Sequence, residues 1–200
     1  PPDLELTRNL GLIEAQTQRL GKITRDIADF ASPRPGEREL LDLNGLIRST
    51  ARLLGYDRRF RDVTVDLALD RNLPAVNGVA DQLTQVLMNL LINAMDATRA
   101  QEGRSGWVRV VSRPAGAHVE ISVVADAVGM DASTARRACE PFFTTKPVGK
   151  GTGLGLSLCE SLISAHGGTL RIDSTPGRGT TVSVALPLEV EDDRGRVEVA

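Results

Sequence analysis

Two hundred residues, 41% hydrophobic but only 3% aromatic, suffice for one ordinary domain plus an appendage, with Leu, Val, Ile and Ala filling the core. The formal net charge of −2 and the scatter of the basic residues argue against a nucleic-acid footprint. No run reaches the ~18 apolar residues of a membrane helix and no secretory leader is visible, so no membrane contact and a cytoplasmic setting are expected, although a full-length protein could carry an anchor.

The chain opens on Pro1-Pro2-Asp3, an unnatural start that suggests a piece excised from a longer protein. Over 6–31 a seven-residue repeat places Leu6, Ile13, Leu20 and Ile27 on one row and Leu10, Thr17, Thr24 and Ala31 on the next. This predicts a helix with an apolar seam, suited to a helical hairpin or bundle partner. The simpler reading is a helix lying on its own domain. Ser32-Pro33-Arg34-Pro35-Gly36 ends it, because proline lacks the N–H and biases its predecessor away from helix, and a hinge is placed at 33–37. A short edge strand is expected at 41–43, then a helix capped by Asn44 and running to about 54. Residues 63–69 alternate with period two as a half-buried strand. Asn77 or Gly78 starts the longest helix of the main domain, over 79–99. Strands at 107–112 and 118–124 form a hairpin across Pro114-Ala-Gly116, and strands at 169–173 and 180–186 form another across Thr175-Pro-Gly-Arg-Gly179. The tail, 189–200, is charged and expected to fray, though 196–199 could add to an edge. Interleaved strands and helices predict an α/β fold: a two-layer sandwich of a mixed sheet with helices on one face, preceded by the long amphipathic helix.

Two stretches carry chemistry. Asn89 and Asn93, four apart on the long helix, project their amides from one face among Val86, Leu87, Leu90, Leu91 and Ile92. Buried carboxamides need partners, so they mark either a polar site or a satisfied structural pair; their oxygens can ligate Mg²⁺. In the second stretch, Lys146 and Lys150 lead into Gly151, Gly153 and Gly155, which open an apolar helix over 154–163. Glycine lets a phosphate approach the partially positive N–H groups of a helix N-terminus. Cys139 and Cys159 match no metal spacing and read as reduced structural residues.

These residues resemble sensor histidine kinases of two-component systems, within the Bergerat-fold ATPase superfamily. The segment from Gln82 through Asn89 and Asn93 to Ala97 looks like their asparagine box. Glu140-Pro-Phe-Phe-Thr-Thr-Lys146 looks like the phenylalanine box, Gly151-Thr-Gly-Leu-Gly-Leu-Ser157 like the second glycine box, and Gly177-Arg-Gly-Thr180 like the last one. The 6–31 helix is similar to the second helix of the dimerisation hairpin. The resemblance covers 6–188. It implies domains at 1–32 (hairpin helix), 38–188 (ATP-binding catalytic domain) and 189–200 (tail). It further implies ATP and Mg²⁺ as cofactors, a response regulator receiver domain as partner, and a homodimer through the hairpin in the full-length protein. Asn93 would hold Mg²⁺, with Asn89 supporting it or the phosphates. Lys146 would face the phosphates, and Gly151, Thr152, Gly153, Leu154 and Gly155 would line them within a mobile lid. Gly129 and Thr180 would lie towards the adenine. Phosphoryl transfer asks mainly for positioning and charge neutralisation, so no nucleophile is required of this chain. Related chaperone, topoisomerase and mismatch-repair ATPases usually carry a catalytic glutamate where Asn89 stands.

Two departures qualify the resemblance. The first glycine box, Asp-x-Gly-x-Gly in the family, here reads Ala125-Asp126-Ala127-Val128-Gly129, with alanine in place of the adenine-binding aspartate. Asp126 is one place off and, if strand-like, points the other way. Either nucleotide binding is impaired and the chain acts as a signalling scaffold, or a local shift lets Asp126 serve. In addition, no His-Glu acceptor motif occurs. His118 and His166, the two histidines, read as structural, so the acceptor is expected upstream or is absent from the protein, and this chain should not autophosphorylate.

Overall fold

The protein, in a computed structural model, is described for residues 2–31, 36–99, 106–147, 151–191 and 197–199. Helix α1 (Pro2–Ala31) comes first, and Leu6, Leu10, Ile13, Leu20 and Ile27 are all exposed along it. Of the expected hinge at 33–37, residues 33–35 lie outside the described residues. Beyond it, Arg38 Nη2 donates to the Ala165 carbonyl at 2.6 Å, fastening the connection to the body.

The central sheet contains five strands: β2 (Thr64–Leu69), β4 (Trp107–Ala115), β5 (His118–Ala125), β6 (Thr169–Thr175) and β7 (Gly179–Pro187), in the order β2-β4-β5-β7-β6. The pair β2–β4 is parallel and the remainder antiparallel, giving the mixed sheet expected. Burial alternates strictly along β5: Val119, Ile121, Val123 and Ala125 are buried and their neighbours half-buried, so one face alone is fully covered. That face meets α2 (Leu43–Gly55), α3 (Ala80–Arg99) and α5 (Gly155–Ala165), whose Ile47, Leu87, Leu91, Leu158 and Leu162 complete one continuous core. The remaining elements are α4 (Ala132–Arg137), a one-turn 3₁₀ helix (Arg58–Phe60), the pair β1 (Glu39–Leu41) and β3 (Val76–Gly78), and the pair β8 (Glu189–Glu191) and β9 (Val197–Val199). Among the described residues no helix is long and apolar enough to cross a membrane.

Several local expectations are corrected. The N-cap position of α2 belongs to Asp42, not Asn44. Asn44 lies inside the first turn and is buried; its Nδ2 donates to the Asp70 carbonyl at 2.7 Å and its Oδ1 accepts from Ser112 Oγ at 2.8 Å. An amide that stitches α2 to β4 is worth more there than as an exposed cap. Asn77 and Gly78 do not begin α3. They form β3, which pairs with β1, and the helix starts at Ala80. The early edge strand is 39–41 rather than 41–43. The tail strand 197–199 pairs with β8 instead of joining the central sheet. Helix α4 was not foreseen; Asp131 caps it, accepting from the Ser133 hydroxyl and from the N–H groups of Thr134 and Ser133, and these bonds hold its carboxyl down at about 2.

Candidate nucleotide site

Two groups of the expected residues assemble. The first forms where α3, the segment 140–147 and the start of α5 meet. Asn89 and Asn93 are half-buried, one turn apart on the flank of α3 that faces α5. Gly155, the first residue of α5, lies against both: a side chain there would meet Asn93 Nδ2 at 3.6 Å and the Asn89 carboxamide at 3.9 Å. Cys159 Sγ donates to the Val86 carbonyl at 3.8 Å, tying α5 to α3 one turn further on. Burial pushes this thiol up to about 12, a hydrogen bond with the Asn89 side chain acting against it, so Cys159 is a packing residue. Burial likewise raises Cys139, to about 11, and both cysteines are free thiols, as expected.

Lys146 reaches across to the asparagine flank. Its Nζ donates to Asn93 Oδ1 at 3.2 Å and to Asp96 Oδ2 at 2.7 Å. Asp96 was overlooked in the sequence, although its place three residues after Asn93 on the same face was available as a signal. The second lysine leading into the glycine segment, Lys150, lies outside the described residues. The glycine segment folds back onto the phenylalanine segment, with Phe142 N–H donating to the Gly153 carbonyl at 2.9 Å. Phe142 and Gly153 have φ of 67° and 70°, and a Cβ on Gly153 would strike the Phe142 backbone, so only glycine fits there. Thr152 and Leu154 complete the turn. Leu154 precedes α5 without a side-chain cap, so the first-turn N–H groups of that helix have no competing side-chain acceptor from the cap.

The second group lies at the end of the sheet. Ala125 closes β5 opposite Thr180 of β7, and Thr180 in turn faces Ser174 of β6, their hydroxyls 2.7 Å apart. Met130 N–H donates to Ser174 Oγ at 2.8 Å and Gly177 N–H to the Val128 carbonyl at 2.7 Å, so the loop 126–130 is bound to the β6–β7 turn. Gly129, with φ of 70°, turns the chain where a Cβ would collide with the Thr175 carbonyl. Ala125 and Ala127 are buried, at 4% and 2% exposure, whereas Asp126 between them is half-buried. Asp126 N–H bonds the Trp107 carbonyl at 3.0 Å, which continues the ladder and keeps the strand alternation through 125–127. The carboxylate therefore leaves the face that Ala125 and Thr180 share.

The histidines are accounted for locally. His166 is 3% exposed; its Nε2 accepts from Val79 N–H at 3.0 Å, leaving Nδ1–H to donate to the Leu162 carbonyl at 2.7 Å. Burial holds its pKa below the ordinary value. His118 opens β5, opposite Ala115 and Pro187.

Residues 78–190 match the family described as histidine kinase-, DNA gyrase B- and HSP90-like ATPases. The sensor histidine kinase ZraS of Escherichia coli K12 is 32% identical over 88% of this chain and 36% of its own length, and the sensor protein TdiS of Thauera aromatica is 34% identical over 92% and 34%. The chain thus spans about a third of the length of these curated relatives. Among solved structures, the nucleotide-free catalytic domain of histidine kinase ThkA superposes with a TM-score of 0.66 at 30% identity, covering 76% of this chain and 95% of that one. The complex of ThkA with the response regulator protein TrrA gives 0.73 at 26% identity, over 91% and 51%. Matched over more than half its length, the chain belongs to the histidine kinase-, DNA gyrase B- and HSP90-like ATPase family, as the ATPase domain of a sensor histidine kinase.

Proposed function

We propose that this chain is the ATP-binding catalytic module of a two-component sensor kinase, with residues 1–32 as one helix of the dimerisation hairpin and 38–188 as the catalytic domain. In this reading the γ-phosphoryl group passes to a histidine supplied from outside the chain, for relay to a response regulator receiver domain. Both histidines present have structural placements, which supports an external acceptor.

The observation that carries the reading is the phosphate end: Lys146 against Asn93, and the uncapped start of α5 against Asn89 and Asn93. Asn93 Oδ1 already faces a positive charge, the Lys146 ammonium at 3.2 Å, and a carboxamide oxygen is a hard donor of the kind Mg²⁺ takes, which supports the reading. Bound Mg²⁺ would neutralise phosphate charge. Asn93 would hold it and Asn89 would brace it or the phosphates. Lys146 would supply a positive charge to the β- and γ-oxygens. The N–H groups of Gly151, Gly153, Leu154 and Gly155, with the Thr152 hydroxyl, would orient the phosphate chain and exclude water from it.

The adenine end favours a second reading, a nucleotide site with weakened binding whose chain serves as a scaffold. Where the resemblance calls for a carboxylate, the buried Ala125 methyl offers no acceptor to an adenine amino group. Calorimetry with a non-hydrolysable ATP analogue and Mg²⁺ decides between them. Ala125→Asp is expected to tighten binding ten- to a hundredfold, the worth of about 1–3 kcal/mol for a buried polar contact. Equal, tight binding by both proteins would reject the weakened-site reading. No binding by either would reject the nucleotide-binding reading itself.

A further inference from the structure

The Lys146 ammonium bridges two oxygens of different kinds, the Asn93 amide at 3.2 Å and the Asp96 carboxylate at 2.7 Å. Lys146 and Asp96 are each about one-third exposed, at 32% and 30%. Three residues apart on α3, Asn93 and Asp96 present hard oxygens to the same side of the helix, and the ammonium marks where their attraction for positive charge converges. We propose that this is a shared cation seat, and that Asp96 is a second protein oxygen for the divalent cation, which exchanges places with Lys146. The inference rests on the reading of Asn93 as the cation-binding amide.

The chemistry fits a magnesium-type ion. Such ions are usually held by one or two carboxylates while keeping water and substrate phosphates for their remaining positions. Asn93 and Asp96 supply two oxygens in all. No group of three or more His, Cys, Asp or Glu that could hold a metal exists among the described residues, so the seat does not resemble a protein-only cage. Because the ion pair is partly exposed, water screens it and exchange costs little. A doubly charged ion gains more from the carboxylate than an ammonium does. Lysine's flexible four-carbon stem then lets Nζ swing to a neighbouring anion such as a phosphate oxygen. Asp96 thereby acts twice, parking Lys146 beside Asn93 and handing the seat to the metal.

Mn²⁺ shares the oxygen preference and is paramagnetic, so it can be titrated alone into ¹⁵N-labelled full chain and located by the amide resonances it broadens. The expected result is broadening centred on residues 89–96 and 146. Asp96→Asn should weaken this by about tenfold or more, whereas Lys146→Met, by removing the competing ammonium, should tighten it by a similar factor. Both variants are at partly exposed positions, and circular dichroism verifies their folding. Broadening at Asn93 that survives Asp96→Asn unchanged overturns the role of Asp96 while leaving Asn93 a cation residue. Unaltered affinity in Lys146→Met overturns the exchange, and absence of broadening near Asn93 in all three proteins overturns the seat altogether. No nucleotide is present, so these outcomes are independent of the calorimetric test of nucleotide binding.

Discussion

Single residues decide how the ends of α5 behave. At its C-terminal end, His166 must stay neutral, because Nε2 can accept from Val79 N–H only while unprotonated. Its folded pKa lies below the ordinary value of about 6.5, so the unfolded chain binds this proton more readily. The stability it contributes is complete above about pH 6.5 and is lost as pH falls below that value, towards its folded pKa. Chemical denaturation across pH 5–8 should show this decline, and His166→Leu should remove that component while lowering stability by about 1–3 kcal/mol through the orphaned Val79 N–H. A decline of equal size in the variant would assign it to other groups. At the sheet end, Ala125→Asp places a carboxylate where the native methyl is 4% exposed. Without ligand it should reduce stability, and added nucleotide should restore it, as a thermal melt with and without the ATP analogue would show. A binding gain with no loss of ligand-free stability would mean that the loop 125–127 opens to solvent.

Elements show where sequence is informative and where it fails. The long helix α3, the two hairpins and the glycine-opened α5 were legible because periodicity, turn residues and helix breakers are local signals. The β1–β3 pair was not. Each strand has three residues, too few for a period, and only their mutual pairing makes them strands. Asn44 misled for a related reason: its type is right for a cap, but tertiary hydrogen bonds to Asp70 and Ser112 outweigh that preference. In the site, Asn89, Asn93 and Lys146 were readable as residue types, whereas Asp96 gains its place only through Lys146, 50 residues away, which no local pattern announces. The proposed lid gives an element-scale prediction. Gly153→Ala forces a Cβ into a left-handed backbone against Phe142, at a cost of about 1–3 kcal/mol. Hydrogen exchange should accelerate over 140–155 while the central sheet keeps its protection. Uniform acceleration everywhere would contradict a lid that opens on its own.

At the scale of the whole molecule, the body closes its own core while α1 does not. Leu10, Ile13 and Leu20, more than half exposed, line a seam that nothing in this chain covers among the described residues. The proposed hairpin dimer would bury them. Sedimentation should therefore show mass rising with concentration, and Ile13→Glu with Leu20→Glu should hold the chain monomeric without changing its melting temperature. Monomers at all concentrations would mean that this helix does not associate with a second copy of itself.

Trp107 is the chain's single tryptophan, and its backbone carbonyl accepts from Asp126 N–H. With 39% of its surface exposed and the Arg109 guanidinium 5.5 Å over its ring, it is a fluorophore already mounted beside the residue in question. If a nucleotide recruits Asp126 by turning the chain beside the Trp107 carbonyl, a shift in emission is the expected result. One that binds through the phosphate end alone leaves the emission still. The protein thus carries its own optical readout of which half of the site a ligand uses, without any label.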